Sequence, residues 1–209
     1  MKYLKLYEKF EDWKTVSDED FTEFMELHSI GVVSDQELRE LTKLRDAERE
    51  ILQYTGVGNL NLKSTTLLKS LPSGLKIDKH LFLGGCTGLE SLPVGLEVGG
   101  YLSLYSCKSL ESLPADLAVG GLLDLTDCIG LKSLPADLVV GTSLYLIGCT
   151  ALKSLPTGLE VLGELVLRDC ISLRSLPAGL VVGKDLDLTG CPALTGLPAD
   201  LRVGGKILW

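Results

Sequence analysis

Large aromatic side chains are scarce in this chain: Phe, Trp and Tyr together make 6% of its 209 residues. That scarcity excludes a core built around a few bulky rings. Equally missing is any apolar run near the roughly 18 residues that a membrane-spanning helix requires. The opening MKYLKLYEKFEDWK has no continuous apolar segment of the secretory type. The cytoplasm is therefore the expected location, with secretion into a host cell without a classical signal as the alternative. Basic surface is lacking too. The net charge is −8, and residues 1–54 carry fourteen Asp or Glu against eight Lys or Arg. Without cations to neutralise phosphates, neither direct nucleic-acid binding nor attachment to an anionic membrane is expected.

Chemistry-bearing motifs are equally sparse. There are two histidines, His28 and His80, and no Cys-x-x-Cys pair to start a zinc site. The glycine pairs lack the GxxxxGK[ST] frame of a phosphate loop, GKDLDL at Gly183 carrying Asp where Ser or Thr would stand. A His80–Cys86 pair has no nucleophile context around it. No convergent catalytic set is visible, so the expectation is a protein that is not an enzyme and needs no cofactor or metal.

The residues that are present fall into two regions. Residues 1–55 read as helical. Tyr3, Leu6, Tyr7, Phe10 and Trp13 recur at helical spacing. Ser17 with Asp20 resembles a capping box ahead of Phe21, Phe24, Met25 and His28, and Gly31 stands where that helix should end. Ser34 with Glu37 forms a second capping box, with Leu38, Leu41, Leu44, Ile51 and Leu52 on one face after it. This helical unit is expected to cap the N-terminal end of the remaining chain.

From Gly56 a 21-residue period takes over, written SLPxxLxVGGxLxLxxCxxLx. Six full units run from 70 to 195, with half units at 56–69 and 196–209. Such a period marks a solenoid, whose units close their core only against neighbours. In xLxLx two leucines alternate with variable residues, which predicts a strand with one face inward. The inward pairs are Leu81/Leu83, Leu102/Leu104, Leu123/Leu125, Leu144/Leu146, Leu165/Leu167 and Leu186/Leu188. The VGG tract suits a tight turn and close backbone approach. The Pro of SLP, having no N–H, belongs on the return path.

These motifs carry a resemblance. LSLYSCKSL and LDLTDCIGL are similar to the leucine-rich repeat signature in its cysteine-bearing form. The SLP after them resembles the short bacterial type, whose members often open with a helical cap. The likeness spans about Gly56–Trp209. It implies a right-handed parallel solenoid of α/β repeat class, a concave strand face that binds a protein ligand, and a bacterial effector-like or host-interaction role. The chain departs from the family where its leading Leu becomes Gly99, Gly120, Gly141, Gly183 or Gly204, each after a Val. That Val makes a second alternation, as in Leu96-x-Val98, so a three-sided parallel β-helix stays open as the alternative architecture.

Three sets of residues are candidates for function. Cys86, Cys107, Cys128, Cys149, Cys170 and Cys191 recur every 21 residues. Stacked side by side about 4.8 Å apart, with side chains parallel rather than facing, they read as a buried thiol ladder in preference to three disulfides or metal sites. The outward strand face offers His80, Phe82, Tyr101, Ser103, Tyr105, Leu122, Asp124, Tyr145 and Ile147, then a charged group, Glu164, Arg168, Asp185 and Asp187. An apolar, tyrosine-rich face suits a protein partner; packing of these side chains on one another to stiffen the sheet is the plainer reading. Lastly, Lys206, Ile207, Leu208 and Trp209 leave an open strand edge, which predicts an end-to-end homodimer, with a longer chain or shielding by the Trp as alternatives. An acidic DNA mimic inhibiting a nucleic-acid enzyme is the alternative function, but residues 55–209 hold fourteen acidic against twelve basic side chains, too balanced for it.

Overall fold

The computed structural model describes residues 18–209. The apolar stripe of residues 3–13 lies outside them, as does Ser17 of the expected capping pair with Asp20. Two helices come first, α1 (Asp18–Ser29) and α2 (Asp35–Gln53). Gly31 ends α1 at φ +71°, the left-handed geometry that costs glycine least. The Ser34 capping box is complete: its hydroxyl accepts from the Glu37 N–H while the Glu37 carboxylate accepts from the Ser34 N–H. Phe24, Leu41, Leu44 and Ile51 are buried and Leu38 partly so, whereas Met25 and Leu52 are exposed. The apolar stripe of α2 is thus narrower than the sequence implies, because Leu52 lies a full residue round from Ile51 and turns to solvent.

The helices cap the solenoid. Glu50 Oε1 accepts from the backbone N–H of Asn61 at 3.0 Å, and the Thr66 hydroxyl donates to Glu40. The open flank of the first coil is thereby met by carboxylates of α2, Glu50 at the strand and Glu40 at the turn after it.

After the helices the chain coils. One parallel sheet contains β1 (Leu60–Asn61), β3 (Leu81–Phe82), β5 (Leu102–Ser103), β7 (Leu123–Asp124), β9 (Leu144–Tyr145), β11 (Leu165–Val166), β13 (Leu186–Asp187) and β15 (Ile207–Leu208), in that order. Its register is the sequence period: Leu60 pairs with Leu81, Leu81 with Leu102, Leu102 with Leu123. The Leu-x-Val tracts form a second parallel layer that is split in two. β2 (Lys76–Ile77), β4 (Glu97–Val98), β6 (Ala118–Val119) and β8 (Val139–Val140) make one sheet; β10 (Glu160–Val161), β12 (Val181–Val182) and β14 (Arg202–Val203) make the other. The remaining side, with SLP, is irregular but for one isolated bridge between Ser154 and Ser175. The molecule is a parallel β-solenoid whose return path is half stranded.

Each coil turns inward the residues that the repeat predicts. In one coil Leu102, Leu104, Cys107, Leu110, Leu113, Leu117 and Val119 are all buried. A fully buried Leu stabilises by roughly 1.5–3 kcal/mol relative to exposure. These gains are realised only between stacked coils, since each coil is one layer thick.

Two backbone devices set the coil shape. The residue before each ladder position is left-handed: Ser64, Gly85, Ser106, Asp127, Gly148, Asp169 and Gly190 have φ between +56° and +80°. This turn swings the chain out of the first sheet. The other device is a row of glycines at the end of the second layer. A Cβ on Gly99, Gly120, Gly141, Gly183 or Gly204 would fall within 3.0 Å of a carbonyl oxygen of the preceding coil. Only the bare backbone fits there.

Candidate functional site

All six cysteines are free and buried. Each thiol donates to a leucine carbonyl of the coil before it: Cys86 to Leu62 (3.0 Å), Cys107 to Leu83 (3.2 Å), Cys128 to Leu104 (3.1 Å), Cys149 to Leu125 (3.2 Å), Cys170 to Leu146 (3.1 Å) and Cys191 to Leu167 (3.0 Å). Thr65 occupies the first rung, and its hydroxyl donates to Leu62 O at 2.9 Å. The row is a ladder of neutral donors. Burial raises the thiol of Cys86 to about 11 and those of Cys128 and Cys170 to about 12. Burial raises Cys107, Cys149 and Cys191 as well. Thiols so held are poor nucleophiles. Cys86 has no link to His80, whose Nδ1 instead accepts from the Tyr101 N–H at 2.9 Å.

The variable residues meet on the outer face of the first sheet. Strand alternation places Asn61, Phe82, Ser103, Asp124, Tyr145, Val166, Asp187 and Leu208 in its central row, one per coil. Phe82 meets His80 and Tyr101 edge-on, with ring centroids 6.0 and 5.7 Å away. The Lys63 ammonium lies over the Phe82 ring at 4.5 Å. The Tyr101 hydroxyl crosses to Asp124 (2.9 Å), and that of Tyr145 to Glu164 (3.1 Å). Arg168 reaches Asp187 at 2.6 Å. Asp124 and Asp187 each take a second bond, from the backbone N–H of Thr126 and Thr189.

The acidities follow from this packing. Burial pushes the Tyr101 and Tyr145 phenols up, and the carboxylates of Asp124 and Glu164 beside them push the same way. Burial pulls Asp187 up, but the bonds from Thr189 and the Arg168 guanidinium outweigh it and hold the carboxyl below its ordinary value.

These side chains share the outer face of the first sheet. Phe82, Tyr101, Tyr145 and Arg168 are tied across coils rather than standing free. Ser103 and Asp187 are buried, and most of their neighbours are half-buried. Tyr105 is the most exposed of the face aromatics, and Arg168 is also exposed. Leu122 and Ile147 are half-buried at the flanks, and Asp185 accepts from the Lys206 N–H at 2.7 Å. Lys63 belongs to the set although the repeat pattern alone does not single it out. It sits 42 residues before Tyr105, two periods back, so carrying the register into the half unit locates it. Among the described residues no three His, Cys, Asp or Glu side chains gather as metal ligands, and no helix is long and apolar enough to cross a membrane.

Fold and face together define a class: a parallel β-solenoid of 21-residue coils with a thiol ladder inside and a variable, pre-tied side-chain row outside. Searches against protein families, curated proteins and solved structures find no match to this chain.

Proposed function

We propose that this protein is a non-enzymatic scaffold of leucine-rich repeat type that binds a protein partner on the outer face of its first sheet. One observation supports the reading above all. The interior repeats coil after coil, while the outward row changes from Phe82 to Ser103, Asp124, Tyr145, Val166 and Asp187. A frame needing only stiffness has no use for that variety. The cross-coil hydrogen bonds from Tyr101 to Asp124 and from Arg168 to Asp187 fix neighbouring rows of the face relative to one another, which lowers the ordering cost of binding. Tyrosine supplies broad amphipathic contact of the kind found at the energetic centres of interfaces.

The test is affinity capture followed by substitution. The native chain retains a protein from extracts of its source or host, and the combined Tyr101→Ala, Tyr105→Ala and Tyr145→Ala variant loses it at unchanged circular dichroism. Retention of the same protein by the folded triple variant rejects the proposal.

A further inference from the structure

The second layer divides at one place, between β8 and β10. Elsewhere the residue after the valine strand donates its N–H to the coil before it: Gly99 to Ile77, Gly120 to Val98, Gly141 to Val119, Gly183 to Val161 and Gly204 to Val182, each at 2.8 Å. The sixth member of that series is Leu162, and among the described residues no backbone bond joins it to Val140. It is the one position after Gly99 where the row departs from glycine. A Cβ at any glycine of this row would overlap the carbonyl of the preceding coil, and leucine must carry one above Gly141. A surface cleft of about 490 Å3 lies at this spot, with Val139, Val140, Gly141, Glu160 and Leu162 among its walls. The Leu162 side chain itself is 70% exposed, so no core packing is gained in return.

The gap is local. One residue on, Gly163 donates to Thr142 at 2.7 Å, and the bonds of the first sheet run through without interruption, Leu144 to Glu164 and Leu146 to Val166. The thiol ladder also crosses it, through Cys170 to Leu146. The coils on either side are therefore hydrogen-bonded along the first sheet, whereas β8 and β10 touch with no backbone bond between them among the described residues.

We infer that Leu162 builds a hinge seam into the solenoid, dividing it into two blocks that flex about the first sheet while the second layer opens. The seam falls where the outer face passes from its aromatic rows to its charged rows. The Tyr145–Glu164 bond bridges the two blocks on that face. Flexing changes the angle between the two halves of the face without disturbing either half, which, on the binding role proposed above, lets two rigid blocks adjust to a partner's shape.

Hydrogen exchange on the full chain, with Leu162→Gly and Leu162→Ala, tests this. In the native protein the Leu162 amide exchanges at least about tenfold faster than those of Gly120 and Gly183. Leu162→Gly removes the Cβ, closes the layer and brings the amide at 162 to within about threefold of its neighbours in the row. Leu162→Ala keeps the Cβ and keeps the fast exchange. Native protection at Leu162 equal to that of Gly120, no gain in Leu162→Gly, or equal gain in both variants overturns the inference.

Discussion

Cysteine serves in this core as a small donor rather than as a redox or ligand group. Each leucine carbonyl of the row Leu83, Leu104, Leu125, Leu146 and Leu167 accepts twice, from the cysteine N–H three residues on in its own coil and from the thiol of the next coil. A larger side chain would part the coils, and an ionised one would be buried without a counter-charge. The consequence is a pH dependence with a fixed sign. An unfolded cysteine ionises near pH 8.5, whereas Cys86 holds its proton to about 11 and Cys128 and Cys170 to about 12. Between those values the folded state binds more protons than the unfolded state, so stability falls as pH rises, by up to about 1.4 kcal/mol per pH unit for each thiol. Urea midpoints should drop steeply from about pH 8.5 to about 10.5. Cys128→Ser keeps a donor for Leu104 but does not titrate there, so its slope should be shallower by one thiol's share. An identical slope would show that the ladder is not the source.

At the scale of the element, the second layer depends on what it omits. The glycine row brings backbone against backbone, and its short strands have few other means of pairing. Gly120→Ala puts a Cβ into the carbonyl of Gly99 and should cost about 1–3 kcal/mol through forced backbone movement. Gly179→Ala is the comparison. Its φ is +72° but nothing lies within 4 Å of the added atom, so only the left-handed strain remains, about 1 kcal/mol. Urea unfolding of both variants should rank Gly120→Ala as the weaker, and the reverse order would count against the steric account of the row. The period made much of this readable in advance. The inward leucines, the thiol ladder, the Ser34 capping box and the strand register all follow from local spacing, which repetition samples many times over. The seam was not readable, because a lone Leu at 162 looks like tolerated variation until the carbonyl above it is located. The half-burial of the outer face was hidden for a similar reason. Whether Tyr101 stands free or bends to Asp124 depends on the reach of one side chain toward another 23 residues away, and periodicity says nothing of reach. Leu52 fails for a smaller reason, an angular step of one residue around α2.

At the scale of the whole solenoid, the two described ends are unequal. At the start, α2 covers β1: Glu50 accepts from the strand's Asn61 N–H, and Glu40 takes the hydroxyl of Thr66 in the turn that follows. At the far end β15 pairs only with β13, and β14 only with β12. Ile207, Leu208 and Trp209 are 37%, 43% and 61% exposed, and Leu197, earlier in the same last coil, is exposed too. An apolar face bounded by two unpaired parallel edges is a template for strand addition. We propose that in the 209-residue chain a second copy occupies it. The same edge on two chains is self-complementary about a two-fold axis, so both N–H and C=O rows find partners in one closed contact. That closure limits assembly to a dimer, where a head-to-tail contact would grow, and α2 already covers β1 at the other end. Light scattering at increasing concentration should show the mass rise to twice that of one chain and stop. Leu208→Lys places a charge on the edge, the device by which natural edge strands avoid pairing, and should hold the chain monomeric with its circular dichroism unchanged. A monomeric mass for the native chain at high concentration, or a dimer that survives Leu208→Lys, would rule out pairing through Lys206–Trp209.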